Sequence, residues 1–276
     1  MKKIIVIISI FVSLTLTACS YQKKYEGKYH YFNVEMADYD IATGYAIAFP
    51  QGSPLTIQFD TILQLMQEDG SISCFNDYYI SNQVDSCFEQ LDFNEPVYEH
   101  EFNGNGKTLK VVTSSGYAPF EMVDESQNLI GYDIDLVEFI AKELNYKIEW
   151  IDTKFDSIVV NLVQEKVDLA IAAITPTDDR KENVDFTDEY FFESFTVALY
   201  REDDQYTSFD DFKGKKLAAQ SGTVQAELIQ KLEEKGFIKE AILVQYPSGA
   251  MQFLKTNKID AFIVEESVAL ELIEKN

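Results

Sequence analysis

From residue 108 to its end this chain alternates strand and helix patterns almost without a break, and that alternation limits the fold more than any other property. Residues 109–113, 147–151 and 168–173 read as strands, separated by helical patterns at 133–145 and 157–166. In the first of those helices Val137, Ile140, Ala141 and Leu144 share one face. A strand at 195–200 follows, with a crossing into a second unit expected at 201–205. The alternation then resumes: strands at 216–220, 241–245 and 259–264, helices at 223–235, 248–257 and 265–274. Such a series implies mixed, mostly parallel sheets covered by helices, with ligands met at the carboxyl ends of the strands.

The front of the chain reads differently. A strand is expected at 28–34 and another at 44–49, the latter ended by Pro50, Gly52 and Pro54. Phe59, Ile62, Leu63 and Met66 then mark one face of a helix that Gly70 stops, and a short helix is expected at 72–80. Residues 90–107 are acidic and aperiodic and hold Pro96, Gly104 and Gly106, the composition of a linker.

The chain of 276 residues, 46% of them apolar, has enough length and apolar content for two lobes. Its formal charge of -24 repels nucleic acid and anionic lipid, so neither is expected as a partner. Lys2 and Lys3 precede an apolar run at 4–14 that is too short for a permanent span and reads as a secretory signal. There is no Walker loop and no Gly-x-Gly-x-x-Gly, and His30 and His100 have no ligands at metal spacing, so no cofactor and no metal is expected. Cys74 and Cys87 form an even pair in an exported chain, where a disulfide and two separate thiols both remain open.

The stretch 170–180 carries the most chemistry. An apolar run ends in Thr175, Pro176 and Thr177, with Arg180 close behind. A guanidinium there can hold a carboxylate through two parallel hydrogen bonds, aided by backbone N-H groups near Thr175. The competing reading is an Arg paired with Asp178, Asp179 or Glu182 on a solvated turn.

Residues 16–19, Leu-Thr-Ala-Cys, resemble the bacterial lipobox, which implies cleavage after residue 18 and lipidation of Cys19. The second half resembles the amino-acid-binding proteins of ABC importers, extracellular solute-binding family 3. The resemblance rests on Tyr-Ala-Pro-Phe-Glu at 117–121, Gly-Tyr-Asp-Ile-Asp-Leu at 131–136, Thr175 to Arg180, Val-Asp-Phe-Thr-Asp at 184–188, Gln-Ser-Gly-Thr at 220–223 and Ile-Asp-Ala at 259–261. Glu189 departs from it, since the family usually has Pro before the aromatic at Tyr190. The resemblance implies a two-lobed α/β fold of the periplasmic-binding-protein type 2, with two crossover strands acting as the hinge, near 40–45 and 192–197. It also implies that Arg180 binds a ligand carboxylate with the N-H groups of Thr175 and Thr223. Glu265 would hold the ammonium, with Glu266 able to exchange roles, and the backbone of Ala173 would assist. Tyr117 and Phe155 would sandwich the ligand side chain, and Ser114 and Gln220 complete the expected set. Ser114 stands where relatives often carry Asp, which argues against a cationic cargo, and Val224 replaces a small or polar residue. Taken alone, Glu265 also reads as an acid favoured at a helix N-terminus.

The family's return segment into its first lobe is absent after residue 276, whereas residues 44–80 resemble it. The chain is therefore expected to be a circular permutant: signal 1–18, a segment at 19–43 completing lobe 2, a return to lobe 1 at 44–89, the linker 90–107, lobe 1 at 108–197 and lobe 2 at 198–276. A remnant of two tandem receptors is the competing account. The expected function is a lipid-anchored, extracytoplasmic monomer that captures a polar amino acid and passes it to an ABC permease. A ligand sensor, a degenerate module, or a dehydratase using Glu121, Glu193 or Glu265 are the alternatives.

Overall fold

The computed structural model describes residues 29–34, 44–81, 87–192 and 195–276. The signal segment, Cys19, most of the expected segment 19–43 and Glu193 lie outside them. Along the chain, β1 (Tyr29–Asn33), β2 (Gly44–Tyr45) and β3 (Ala48–Pro50) precede helices α1 (Leu55–Glu68) and α2 (Ser71–Tyr79). Next come β4 (Thr108–Thr113), β5 (Met122–Val123), β6 (Leu129–Ile130), α3 (Tyr132–Glu143), β7 (Lys147–Asp152), α4 (Ile158–Val163) and β8 (Leu169–Ala170). They are followed by α5 (Asp178–Lys181), β9 (Val184–Phe186), β10 (Phe191–Phe192) and β11 (Thr196–Arg201). The last stretch holds β12 (Lys216–Gln220), α6 (Val224–Glu234), β13 (Glu240–Val244), α7 (Pro247–Lys255), β14 (Ala261–Glu265) and α8 (Glu266–Glu274).

Two five-stranded sheets result, ordered β7-β4-β8-β3-β9 and β1-β11-β14-β12-β13. In each, one inner strand pairs in parallel with two later strands reached through helical crossovers, β4 with β7 and β8, and β12 with β13 and β14. The chain thus leaves that inner strand first to one side and then to the other, which opens a crevice at the carboxyl ends of the strands. Each sheet has two parallel and two antiparallel pairs, so the parallel share is half rather than most. The antiparallel pairs are those made by β3 and by β11, strands that no helical crossover delivers.

The front of the chain is shared: β1 pairs with β11 at the edge of the second sheet, and β3 with its helices joins the first. Ala48 pairs with both Ala170 of β8 and Phe186 of β9, so β3 fills the gap between them. Helix α1 buries Phe59, Ile62, Leu63 and Met66, and Gly70, in the left-handed region at φ 87, turns the chain into α2. The α2 face meets α3 through Phe75 and Tyr132, with ring centroids 5.4 Å apart, and Tyr132 donates its hydroxyl hydrogen to Asn76 at 2.9 Å. The sulfurs of Cys74 and Cys87 are bonded, with their Cα atoms 5.2 Å apart. The stretch 90–107 is not a free tether. Glu143 accepts the N-H groups of Val97 and Tyr98, while Gly104 and Gly106 donate theirs to Leu144 and Asn145, so it is laid along the end of α3.

Two differences from the sequence reading follow from packing. All of β11 lies in the second sheet, so the passage between sheets falls before Thr196 rather than at 201–205. Strand β8 ends at Ala170 instead of continuing to 173, and Ala173 itself takes a left-handed φ of 46. Between the sheets, β10 and β2 form a two-stranded ladder that pairs Phe191 with Tyr45 and Phe192 with Gly44. Among the described residues no helix is long and apolar enough to cross a membrane.

Cleavage at a protease site inserted after Asn94 should leave the N-terminal piece, which ends at residue 94 and carries β1 to α2, bound to the remainder during gel filtration. Separation of the pieces would mean that the β3 ladder and the α1 and α2 packing do not by themselves hold this segment.

Candidate functional site

The carboxyl ends of β4, β7, β8, β12 and β14 deliver their following residues to one cavity between the sheets. Tyr117 follows β4, Phe155 follows β7, and Ala173, Thr175 and Arg180 follow β8. From the second sheet come Gln220 and Thr223 around the end of β12, and Glu265 at the end of β14. Ser114 is the one expected residue that does not line it. It sits directly after β4, fully buried, and its hydroxyl has no hydrogen-bond partner among the described residues. The wall at this end is made instead by the Tyr117 ring.

Arg180 stands on the short helix α5, whose first turn is capped by the Thr177 hydroxyl accepting the Arg180 N-H at 3.3 Å. Its guanidinium donates to the Thr175 carbonyl at 2.7 Å and, across the cleft, to the Gly222 carbonyl at 2.8 Å. It also lies 5.4 Å from the centroid of the Phe155 ring, a cation-π arrangement. Among the described residues it makes no ion pair with Asp178, Asp179 or Glu182. Burial pulls its pKa down, opposed by the charges of Glu227 and Glu265, yet a guanidinium remains a cation at any ordinary pH.

Glu265 is 6% exposed, and burial raises its carboxyl above the usual range. Hydrogen bonds oppose that rise. Tyr117 donates its hydroxyl hydrogen to Oε2, Gln225 donates to Oε1 at 2.8 Å, and the Tyr45 hydroxyl also acts on it. No side-chain capping bond ties Glu265 to α8, so a role as a helix cap does not explain it. Glu266 is engaged elsewhere, accepting the Tyr31 hydroxyl at 2.8 Å. Gln225 was not singled out from the sequence. The signal was its place two residues beyond Thr223, in the first turn of α6 facing β14.

Thr223 caps α6, accepting the Ala226 N-H at 3.1 Å and donating its hydroxyl to the Gln220 carbonyl at 2.8 Å. The positive end of an 11-residue helix therefore opens onto the cavity, a setting that favours an anion. Gln220, 3% exposed, donates Nε2 to the Gln245 carbonyl at 3.1 Å, which fixes its amide orientation. Its Oε1 is left without a partner among the described residues. A buried acceptor in that state favours a donor brought by a ligand.

The two sides are drawn together. The side chains leave only about 10 Å³ of free space, because Arg180 and the Tyr117–Glu265 contact fill the centre. Ser221 donates to Asp156 at 3.1 Å across the cleft, and Gly222, at φ 82, lies so near Asp156 that an added Cβ would stand 2.9 Å from its Cα. Only a residue without a side chain permits that approach.

Two sheets of this topology, facing one cavity and joined by a short two-stranded ladder, define the periplasmic-binding-protein type 2 fold. Comparison with known proteins agrees. Residues 109–234 match the profile of the bacterial extracellular solute-binding proteins, family 3. The chain is 35% identical over 171 residues to the arginine-binding extracellular protein ArtP of Bacillus subtilis, a match covering 62% of this chain and 66% of the relative. It is 30% identical to ABC transporter arginine-binding protein 1 of Escherichia coli, covering 59% and 65%. Among solved structures, an ancestral arginine-binding protein bound to arginine aligns with a TM-score of 0.58 at 35% identity, covering 61% of this chain and 74% of that one. The arginine-bound truncated ArgBP from T. maritima aligns at 0.56 and 30% identity, covering 61% and 78%. The chain therefore belongs to solute-binding family 3. It spans a little under two thirds of the length of these curated relatives.

Gly222→Ala should hold the two sides apart, through a left-handed backbone cost of about 1–2 kcal/mol and the contact with Asp156. Small-angle scattering would then give a larger radius of gyration than for the wild type. Equal radii would mean that the Gly222–Asp156 approach does not govern closure.

Proposed function

We propose that this protein is an extracytoplasmic solute-binding protein that closes on a polar amino acid and delivers it to an ABC importer, held at the membrane as a lipoprotein through Cys19. The observation that carries the reading is a guanidinium and a carboxylate reaching one closed cavity from opposite sheets, Arg180 from the first and Glu265 from the second. A zwitterion offers the complementary pair, carboxylate to Arg180 and the α6 terminus, ammonium to Glu265 and the Ala173 backbone. The carbonyls of Thr175 and Gly222 occupy the guanidinium, and Tyr117 and Gln225 occupy Glu265. A ligand would replace the first pair of contacts with a charged partner, and closing two lobes around it draws the population toward the shut form.

The ligand's side chain would lie between Tyr117 and Phe155. The unpartnered Gln220 acceptor favours a tail that carries an N-H or O-H donor over an aliphatic or carboxylate tail. Glutamine, histidine and arginine meet that condition, and arginine is what the two curated relatives are named for binding. Ser114 lies outside the lining, so the wall it was expected to supply gives no charge for or against a cationic tail.

The same reading treats the chain as a circular permutant. Support comes from β3 and its two helices, which lie outside the matched residues 109–234 yet complete the first sheet of the same molecule. A tandem-receptor remnant would instead pair lobes between molecules or fail to bind. A hinge at β2 and β10 suits the reading, since their two-residue ladder is the thinnest connection between the sheets.

Titration of the signal-cleaved protein with the twenty L-amino acids, followed by calorimetry and thermal unfolding, tests this. A polar amino acid should bind, raise the unfolding temperature and be recovered unchanged. Arg180→Ala should cost about 2–5 kcal/mol of affinity, Glu265→Gln a comparable amount, and Glu266→Gln little. Conversion of the ligand would make the protein an enzyme, and no response to any compound would make it a module without this ligand class.

A further inference from the structure

Behind the cavity wall lie two acids that the binding reading does not use. Asp133, at the second position of α3, is 0% exposed and accepts the Ala173 N-H through Oδ2 and the Tyr190 hydroxyl through Oδ1, both at 2.7 Å. Glu121, in the turn before β5, is 1% exposed. Neither of its oxygens meets an N-H or hydroxyl donor among the described residues. The polar group within hydrogen-bonding reach is the carboxyl of Asp133. An ionised carboxylate buried with no donor is among the costliest arrangements a protein interior can hold. The contact is favourable only if one of the two acids keeps its proton, and Asp133 already accepts two hydrogen bonds as a carboxylate.

We infer that Glu121 and Asp133 hold one proton between them and that this pair acts as a positioning device, fixing the Ala173 turn that forms one wall of the cavity. The inference rests on reading that cavity as the ligand site. Ala173 is a non-glycine residue in the left-handed region, a conformation that needs an outside tie, and the Asp133 bond to its N-H is that tie. Immediately downstream, the Ile174 carbonyl accepts the Ala46 N-H from the β2–β3 connection at 3.0 Å, and the Thr175 carbonyl accepts from Arg180. The turn thus sets the placement of Arg180 as well as the backbone groups of Ala173.

The surroundings of the pair are acidic or phenolic. Tyr132 comes from α3 itself, Tyr190 from the stretch before β10, Asp152 from the end of β7 and Glu265 from the end of β14. Burial raises Glu121 well above the usual carboxyl range, and the nearby charge of Asp133 adds to the rise. Asp133 is raised to about 6 by burial, against its three hydrogen bonds. Both shifts are upward, so the stability tied to these protons is present in acid and is lost as pH rises, for Asp133 through about 6. The pair titrates as a unit. Loss of its last proton leaves two facing carboxylates behind the wall, and the Ala173 turn loosens.

The test has two readouts. The amide signal of Ala173, followed by NMR from pH 5 to 10 without ligand, should move with pH in the wild type. Its alkaline step should vanish in Glu121→Gln, whose amide donates to Asp133 at every pH. Affinity for L-arginine, L-glutamine or L-histidine, whichever binds, should fall about tenfold in Glu121→Ala at pH 7, with Glu121→Gln recovering most of it. The decline in affinity from pH 7 to 9.5 should be smaller in Glu121→Gln than in the wild type. The wild type serves as the control for titration of the ligand amine and Glu265. An Ala173 signal that does not titrate, or a Glu121→Gln profile that overlays the wild type in both readouts, overturns the shared-proton pair. If no amino acid binds any variant, the ligand-site reading fails, and the amide titration still decides the pair.

Discussion

The antiparallel seat of β3 between β8 and β9 is the interaction on which the rest of this structure depends. Without it the first sheet would have an open gap beside β8, exposing unpaired backbone groups and the apolar faces of Ala48, Ala170 and their neighbours. The ladder also sets the edge from which the 171–175 turn departs, through the bond from Ala46 to Ile174. One short strand from far upstream therefore completes the lobe and braces the loop that carries Arg180. The aromatic packing of Phe75 on Phe88 and Tyr132, beside the Cys74–Cys87 bond, holds that upstream piece against α3.

The cavity is organised by the cost of burying charge. A part-buried guanidinium and a buried carboxylate are each supplied with partners, so neither faces the interior unsatisfied. The partners differ in kind. Arg180 is met by two backbone carbonyls, one from each side of the cleft, while Glu265 is met by hydroxyl and amide donors. Carbonyls are weaker partners for a cation than a carboxylate is, which leaves a gain for an anionic group entering at Arg180. Behind the wall, the two buried acids Glu121 and Asp133 follow the same rule by a different route, since neighbouring carboxyls can be buried when a proton lies between them.

Much of the site was legible because it is local. The run from Ala170 to Arg180, the Gln220 to Thr223 turn and the strand ending at Glu265 each carry their chemistry within a few residues of a strand's end. In an α/β sheet those ends converge. Three features were not legible. Ser114 was expected in the cavity from the family resemblance, but Tyr117 makes that wall. Gln225 looked like an ordinary helix residue until β14 was laid beside α6. The passage between sheets lies earlier than the sequence reading puts it because β11 is an apolar run as far as Tyr200, and periodicity does not say to which sheet a buried strand belongs.

The sequence by itself determined the main alternation of strands and helices after residue 108 and the helix at 55–68, because those follow from apolar spacing and from Gly and Pro, while the short strands β5, β6, β9 and β10 left no such pattern. Only the tertiary structure decided that Ala48 pairs with Ala170 and Phe186, that Gly222 meets Asp156, and that Glu121 meets Asp133. The first two join residues far apart in the chain, and the third joins residues on either side of the β5–β6 hairpin. Their free energy exists only once the two sides are brought together, so no local pattern records it.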